Sequence, residues 1–171
     1  MLDWFFYFFP QFLPNHEVDE HNPHHRDRDS LVEADFRLKF HEIVEKYDYL
    51  FEEHKVTTDD GYILTLFRIN HRETPKGAPV VFLQHAVLDS ADSWIVNHSE
   101  ESPAFVFANE RYDVWLGNFR GSRHSRAHVS LDPDSKDFYT RSKFFDFTWE
   151  EMARFDLPKM IGYALEQSDQ D

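Results

Sequence analysis

Apolar and polar positions follow several distinct rhythms along this chain, and each rhythm predicts an element. Phe36, Phe40, Ile43, Val44 and Tyr47 recur at helical spacing behind a Ser30/Glu33 capping-box pattern, which predicts a helix from Ser30 to about Tyr47 packed on a sheet. Phe51 to Thr57 and Tyr62 to Asn70 are β-prone runs flanking Thr58-Asp-Asp-Gly61, a hairpin pattern whose turn needs positive φ. Asp59 and Asp60 there read as turn residues rather than as an acid–base pair. Ala78 to Val87 opens with Pro79, is apolar on both faces from Val80 to Leu83, and breaks at Gln84 and His85. Such a run predicts a central strand in a covered sheet. Chemistry gathers beyond the carboxyl ends of such strands, so Gln84 to Val87 stand where a site would be. Ser102 to Arg111, with Pro103 in its first turn and Phe105, Val106 and Ala108 as apolar contacts, predicts a short helix leading to a strand from Tyr112 to Leu116. Strand, loop, helix, strand is a βαβ unit, for which a parallel crossover is expected.

Beyond the βαβ unit the pattern loosens. Ser122 to Phe147 mixes Arg123, Arg126, Arg141 and Lys143 with aromatic residues and aspartates, and reads as an irregular surface excursion rather than a nucleic-acid groove. Thr148-Trp-Glu-Glu151 is a second capping box. Asp156 is expected to cap a following helix with Pro158 in its first turn and Met160, Ile161, Ala164 and Leu165 as the buried stripe.

The start of the chain breaks the pattern in a different way. Met1 to Leu13 is dense in aromatic residues, too short to cross a bilayer as a helix (~20 residues), and without the basic start and cleavage site of a secretory signal. Docking on a partner protein, contact with a membrane or lipid through Trp4, Phe5, Phe6, Phe8 and Phe9, and a degenerate targeting segment are the readings open to it. Asn15 to Asp29 is a polar linker. His21, His24 and His25 could in principle bind metal, but a solvated linker is the expectation, so no metal or cofactor is assigned. Two regions follow, 1–29 as anchor and linker and 30–171 as the folded domain.

The 32 acidic against 18 basic residues, a formal charge of −14, argue against a nucleic-acid partner. Without cysteine the chain has no disulfide, thiolate nucleophile or cysteine-bound zinc. Asn97-His-Ser99 is a glycosylation sequon that matters only in the secretory pathway. An intracellular or organellar, membrane-associated setting is the expectation.

Four motifs occur in one order: Val56-Thr-Thr-Asp-Asp-Gly-Tyr-Ile-Leu, Val81-Phe-Leu-Gln-His, Asp113-Val-Trp-Leu-Gly-Asn-Phe-Arg-Gly and Glu151-Met-Ala-Arg-Phe-Asp-Leu-Pro. From about Tyr47 to Leu165 the chain resembles the acid lipase family of α/β-hydrolases, which includes gastric and lysosomal lipases and sterol esterases. The resemblance implies ester hydrolysis by a serine on a G-x-S-x-G elbow, with a histidine base and an acidic orienter. No G-x-S-x-G occurs in the 171 residues. The implied fold is therefore α/β, the amino-terminal half of an α/β-hydrolase sheet (β-hairpin followed by βαβ), ending before the nucleophile elbow and without a triad.

What the resemblance carries over is an oxyanion-hole-like loop, Gln84, His85, Ala86 and Val87, with the Val87 N–H as the donor. Gln84 and His85 are expected to shape that loop. Ala86 stands where the family has glycine, so a positive φ there would strain the chain. Half of such a sheet exposes a strand edge and a helix-facing surface, which implies other protein chains covering the open half. Three expectations follow: a non-catalytic structural subunit of a larger assembly, one half of a split lipase, or a truncated fragment of an ordinary lipase.

Overall fold

The computed structural model describes residues 35, 37–97, 99 and 101–170. The aromatic run, the histidine linker and the Ser30/Glu33 capping box lie outside the described residues, as do Phe36 and His98. Helix α1 spans Phe40–Lys46, with Lys39 as its N-cap residue. It is shorter than the pattern predicts, because residues 37–39 form a turn and bend before it. Its stripe lies as expected: Phe40 and Val44 are buried, with Ile43 and Tyr47 packed against the same cluster.

Strands β1 (Leu50–Thr57) and β2 (Tyr62–Asn70) form the predicted antiparallel hairpin, in register from Leu50↔Asn70 to Thr57↔Ile63. Gly61, at φ +97°, supplies the left-handed residue of the turn, and the Thr58 hydroxyl bonds Asp60 at 2.6 Å inside it. Strand β3 (Val80–Gln84), helix α2 (Pro103–Asn109) and strand β4 (Asp113–Gly117) make the predicted βαβ unit, with β3 and β4 parallel. Val106 of α2 faces outward, contrary to expectation; Ala104, Phe105 and Ala108 supply the contacts.

The strand order is β1-β2-β4-β3, so the central-strand expectation for β3 is corrected. The strand in the middle is β4, all five of whose residues are buried. Strand β3 is the edge among the described residues, and every one of its residues is half-buried. Both of its faces pack on core, Leu83 on one side and Val80 and Phe82 on the other, which is why its sequence looks central.

Alternation along β2 and β4 divides the core. Phe67, Ile69, Val114 and Leu116 pack with α1 and α2, while Leu64, Leu66 and Trp115 face the later helices. The excursion after β4 is more ordered than its sequence suggests. It contains strand β5 (Ala127–His128), paired to β2, and helix α3 (Phe138–Phe144), N-capped by Asp137 and anchored by buried Phe144.

Helix α4 (Trp149–Glu151) starts at the predicted Thr148 capping box, continues through a π-helical turn (Met152–Asp156), and runs on as α5 (Leu157–Gln167). Asp156 is therefore not a cap. It has helical backbone, makes no capping bond and is fully buried. The Leu157 N–H reaches back five residues to the Met152 carbonyl, and this wider turn precedes Pro158, which has no N–H to place. Met160 and Ala164 are buried, Leu165 is half-buried, and Ile161 is exposed.

Candidate functional site

The carboxyl ends of β3 and β4 lie side by side, Gln84 in register with Gly117. The loops leaving them wall a cavity of about 580 Å³. His85, Val87, Leu88 and Ser90 come from the β3 side, Phe119 to Arg123 from the β4 side, and Phe145, Phe147 and Met152 close the far wall.

The packing at Gln84 follows from a glycine. A Cβ on Gly117 would collide with the Gln84 carboxamide, with Phe82 Cζ at 2.8 Å and with Met160 Cε at 3.1 Å. Gln84 thus lies over bare backbone, its Nε2 3.4 Å from the Gly117 carbonyl. His85 is buried and engaged at both nitrogens. Its Nδ1 donates to the Ala86 carbonyl at 2.8 Å, and its Nε2 accepts from the Phe119 N–H at 3.1 Å, tying the two loops together. Burial pushes its pKa below the ordinary histidine value, which favours the neutral ring that this pairing requires.

After His85 the chain turns, the Asp89 N–H reaching the Ala86 carbonyl at 3.3 Å. The left-handed residue of this turn is Leu88, at φ +66°; Ala86 is not in that region, so the condition for strain at Ala86 is not met. Ala86, Val87 and Leu88 are all exposed. The Val87 N–H donates to no group among the described residues. Asn97, the sequon asparagine, is likewise exposed.

Two polar clusters brace the walls, and sequence reasoning missed both. Arg120 is buried. Its guanidinium bonds Asp156 at 2.6 and 2.8 Å and Asp60 at 2.6 and 3.0 Å, and lies 3.9 Å from the Tyr62 ring centroid. The Arg120 N–H also donates to Asp156, at 3.0 Å. Partial burial pushes the Asp60 carboxyl up, but Arg120 outweighs it and holds the group below its usual range; at fully buried Asp156 burial prevails and raises it. Asp92 takes bonds from His124 at 2.6 Å and Ser90 at 2.5 Å. Burial opposes its ionisation, yet those bonds bring its pKa down to about 2. The one available signal was the position of Arg120 in the Asn118-Phe-Arg-Gly motif; its acidic partners are distant in sequence.

Three serines near the site, Ser90, Ser93 and Ser125, are engaged in structural bonds. Ser90 bonds Asp92, Ser93 bonds the Ser90 carbonyl, and Ser125 bonds the Asn118 carbonyl while accepting from the Thr65 N–H. Ser130 Oγ lies 3.4 Å from His128 Nδ1, but that nitrogen already accepts from the amides of Ser130 and Leu131, which makes the pair a turn lock. No metal-ligating cluster occurs among the described residues.

A mixed sheet with helices on both faces, and an exposed amide turn beyond its parallel edge strand, define the amino-terminal portion of an α/β-hydrolase. Residues 40–98 match the partial alpha/beta-hydrolase lipase region. The chain is 43% identical over 148 residues to Lipase 1 of Drosophila melanogaster, covering 86% of this chain and 31% of that protein. It is 40% identical over 147 residues to Lipase member K of Mus musculus (84% and 35% covered), and 38% identical over 138 residues to gastric triacylglycerol lipase of Rattus norvegicus (78% and 33%). Over residues 40–98 the chain thus matches that lipase region, and it spans about a third of the length of these curated relatives.

Proposed function

We propose that this lipase-like region forms the oxyanion side of a carboxylic ester hydrolase site and does no chemistry by itself. The observation that carries the reading is the Val87 amide, exposed and unengaged among the described residues at the rim of the cavity. An amide so placed can stabilise an oxyanion by ~3 kcal/mol if a tetrahedral carbon forms beside it. The apolar wall of Phe119, Phe145, Phe147 and Met152 suits the acyl part of an ester. No serine among the described residues is paired with a histidine free to act as its base, and no G-x-S-x-G is present. The nucleophile of such a site would then lie outside the described residues.

The half-buried edge of β3 supports a partner that completes the sheet. In one form of the proposal that partner is a second chain bearing the elbow, and the pair is a split lipase. In the other, the chain is a non-catalytic structural subunit of a larger assembly. Isolation of the intact chain with its bound proteins, followed by a fluorophosphonate probe for reactive serine, separates them. Labelling of a tightly bound second chain establishes the split enzyme, and a stable complex without a labelled serine establishes the structural subunit. Labelling of a serine within this chain overturns the proposal.

A further inference from the structure

Three side chains form a hydrogen-bonded succession away from the cleft. Strand β1 turns Glu52 and His54, two residues apart, to one face of the sheet, and helix α5 brings Tyr163 against them. His54 Nε2 lies 3.0 Å from Glu52 Oε2, and His54 Nδ1 lies 3.1 Å from Tyr163 Oη. The carboxylate fixes where the protons sit. Partial burial pushes the Glu52 carboxyl up, but its bonds from His54 and Arg68 outweigh this and hold the group below its usual range. An ionised carboxylate only accepts, so the His54 Nε2–H donates to it, and the Nδ1 lone pair of the neutral ring accepts from the Tyr163 hydroxyl. Arg68 Nη1 holds Glu52 in turn, at 3.1 Å. The whole set rests on buried Trp115, whose ring centroid is 4.8 Å from that of His54, 6.1 Å from that of Tyr163 and 5.1 Å from the Arg68 guanidinium carbon. Hydroxyl, base and orienter in hydrogen-bond succession is the arrangement that activates a nucleophile.

We propose that Tyr163 is a modification site, a phenol activated by His54 and Glu52 that takes up the acyl group of an activated acyl donor, a thioester or an aryl ester. The leaving group sets this donor class. A phenol ionises near ~10 and a thiol near ~8.5, so transfer from a thioester to Tyr163 expels the less basic group; an alkyl ester would have to expel an alkoxide, which is far more basic than a phenolate. In the step, Tyr163 Oη bonds the acyl carbon and its proton passes to His54 Nδ1. The carbon–sulfur bond breaks, and the departing thiolate takes that proton, leaving an O-acyl tyrosine and a free thiol. The chain has no cysteine to compete as an acceptor by thiol exchange. Access is open on one side: Tyr163 is half-buried, the preceding Gly162 is exposed, and a Cβ there would meet nothing within 4 Å. Tyr163 lines none of the cavities walled by His85, Asp113 and Phe40. The acyl transfer is a single modification of the chain rather than a turnover, and it stands independently of the ester site proposed above.

The test is acylation of the full chain by 4-nitrophenyl acetate and, separately, by S-phenyl thioacetate, with the adducts located by peptide mass spectrometry over a range of pH. Tyr139, 68% exposed, is the internal reference. Tyr163 should acylate at least about tenfold faster than Tyr139. Its rate should level off over pH values at which the Tyr139 rate still climbs toward the phenol's own ionisation at ~10. His54→Gln should slow Tyr163 at least about tenfold and leave Tyr139 unchanged, and Glu52→Gln, at an exposed position, should act in the same direction without moving the thermal midpoint. Tyr163 reacting no faster than Tyr139, adducts confined to lysines, or an undiminished Tyr163 rate in folded His54→Gln overturns the proposal and leaves the bond as a tie between α5 and β1. The comparison of the two tyrosines and their pH profiles decides the matter in the unaltered protein even where a variant fails to fold.

Discussion

Replacing Arg120 by methionine tests what holds the cleft together. The substitution keeps much of the side-chain volume and removes the guanidinium, leaving Asp156, which is fully buried, without its counter-charge. Breaking a buried pair in this way costs ~3–5 kcal/mol, a large part of the ~5–15 kcal/mol that stabilises an ordinary domain. The cost is largely that of the stranded carboxylate, so Arg120→Met/Asp156→Leu should lose less than Arg120→Met alone. The pH dependence has a definite sign. A carboxyl whose folded pKa lies above its unfolded value destabilises the fold at neutral pH, and that penalty disappears as pH falls through the folded pKa. Burial already raises Asp156 with Arg120 present, so the single variant should regain stability relative to the parent on acidification. Urea unfolding of the three proteins at two pH values, with the slope checked for constancy, measures all of this. A loss below ~1 kcal/mol for Arg120→Met, or a double variant no better than the single one, would refute the reasoning.

Smaller changes probe the rest of the site. Asp92 titrates at about 2 in the fold and near ~3.9 unfolded. Its contribution of ~2 kcal/mol is therefore complete above the unfolded value and lost as pH falls toward the folded one; Asp92→Asn should flatten that part of the acid-unfolding curve. Gly117→Ala puts a methyl group against Phe82, Gln84 and Met160 and should cost ~1–3 kcal/mol in thermal or urea unfolding, partly restored by Gln84→Ala. Leu88→Gly relieves a left-handed leucine worth ~1–2 kcal/mol of strain, against ~0.5–1 kcal/mol of added chain entropy, and should raise the thermal midpoint slightly. Ala86→Gly, at a position that is not left-handed, should lower it; the reverse order would show the turn misread.

Local signals in the sequence were sufficient where one short stretch dictates its own geometry. The hairpin is legible from Asp60-Gly61, because its turn places the left-handed residue where glycine already stands. The βαβ unit is legible from the Pro79 and Pro103 starts and the apolar runs. Legibility fails where a residue's role depends on a distant partner. Asp156 before Leu-Pro looks like a helix cap, and only Arg120, 36 residues away, makes it a buried counter-ion inside a continuous helix. Strand β3 looks central because both its faces are covered, a property independent of whether its two edges are paired. At the candidate site the loop beyond β3 is legible from Gln84 and His85, but the left-handed Leu88 is not. The turn at Ala86–Asp89 follows His85, whose ring is tied to the Phe119 amide 34 residues away, a contact no local pattern announces.

The single-sided pairing of β3 has a consequence for how the polypeptide can be handled. From Val80 to Gln84 this strand carries no lysine, no internal proline and no bulge that would deter another strand from adding to it. With that edge unpaired among the described residues, the protein offers a template to its own copies, with the net charge of −14 as the main brake on clumping. On the proposed reading, production together with the polypeptide that pairs with this edge, rather than a change of buffer, is the expected route to a homogeneous preparation.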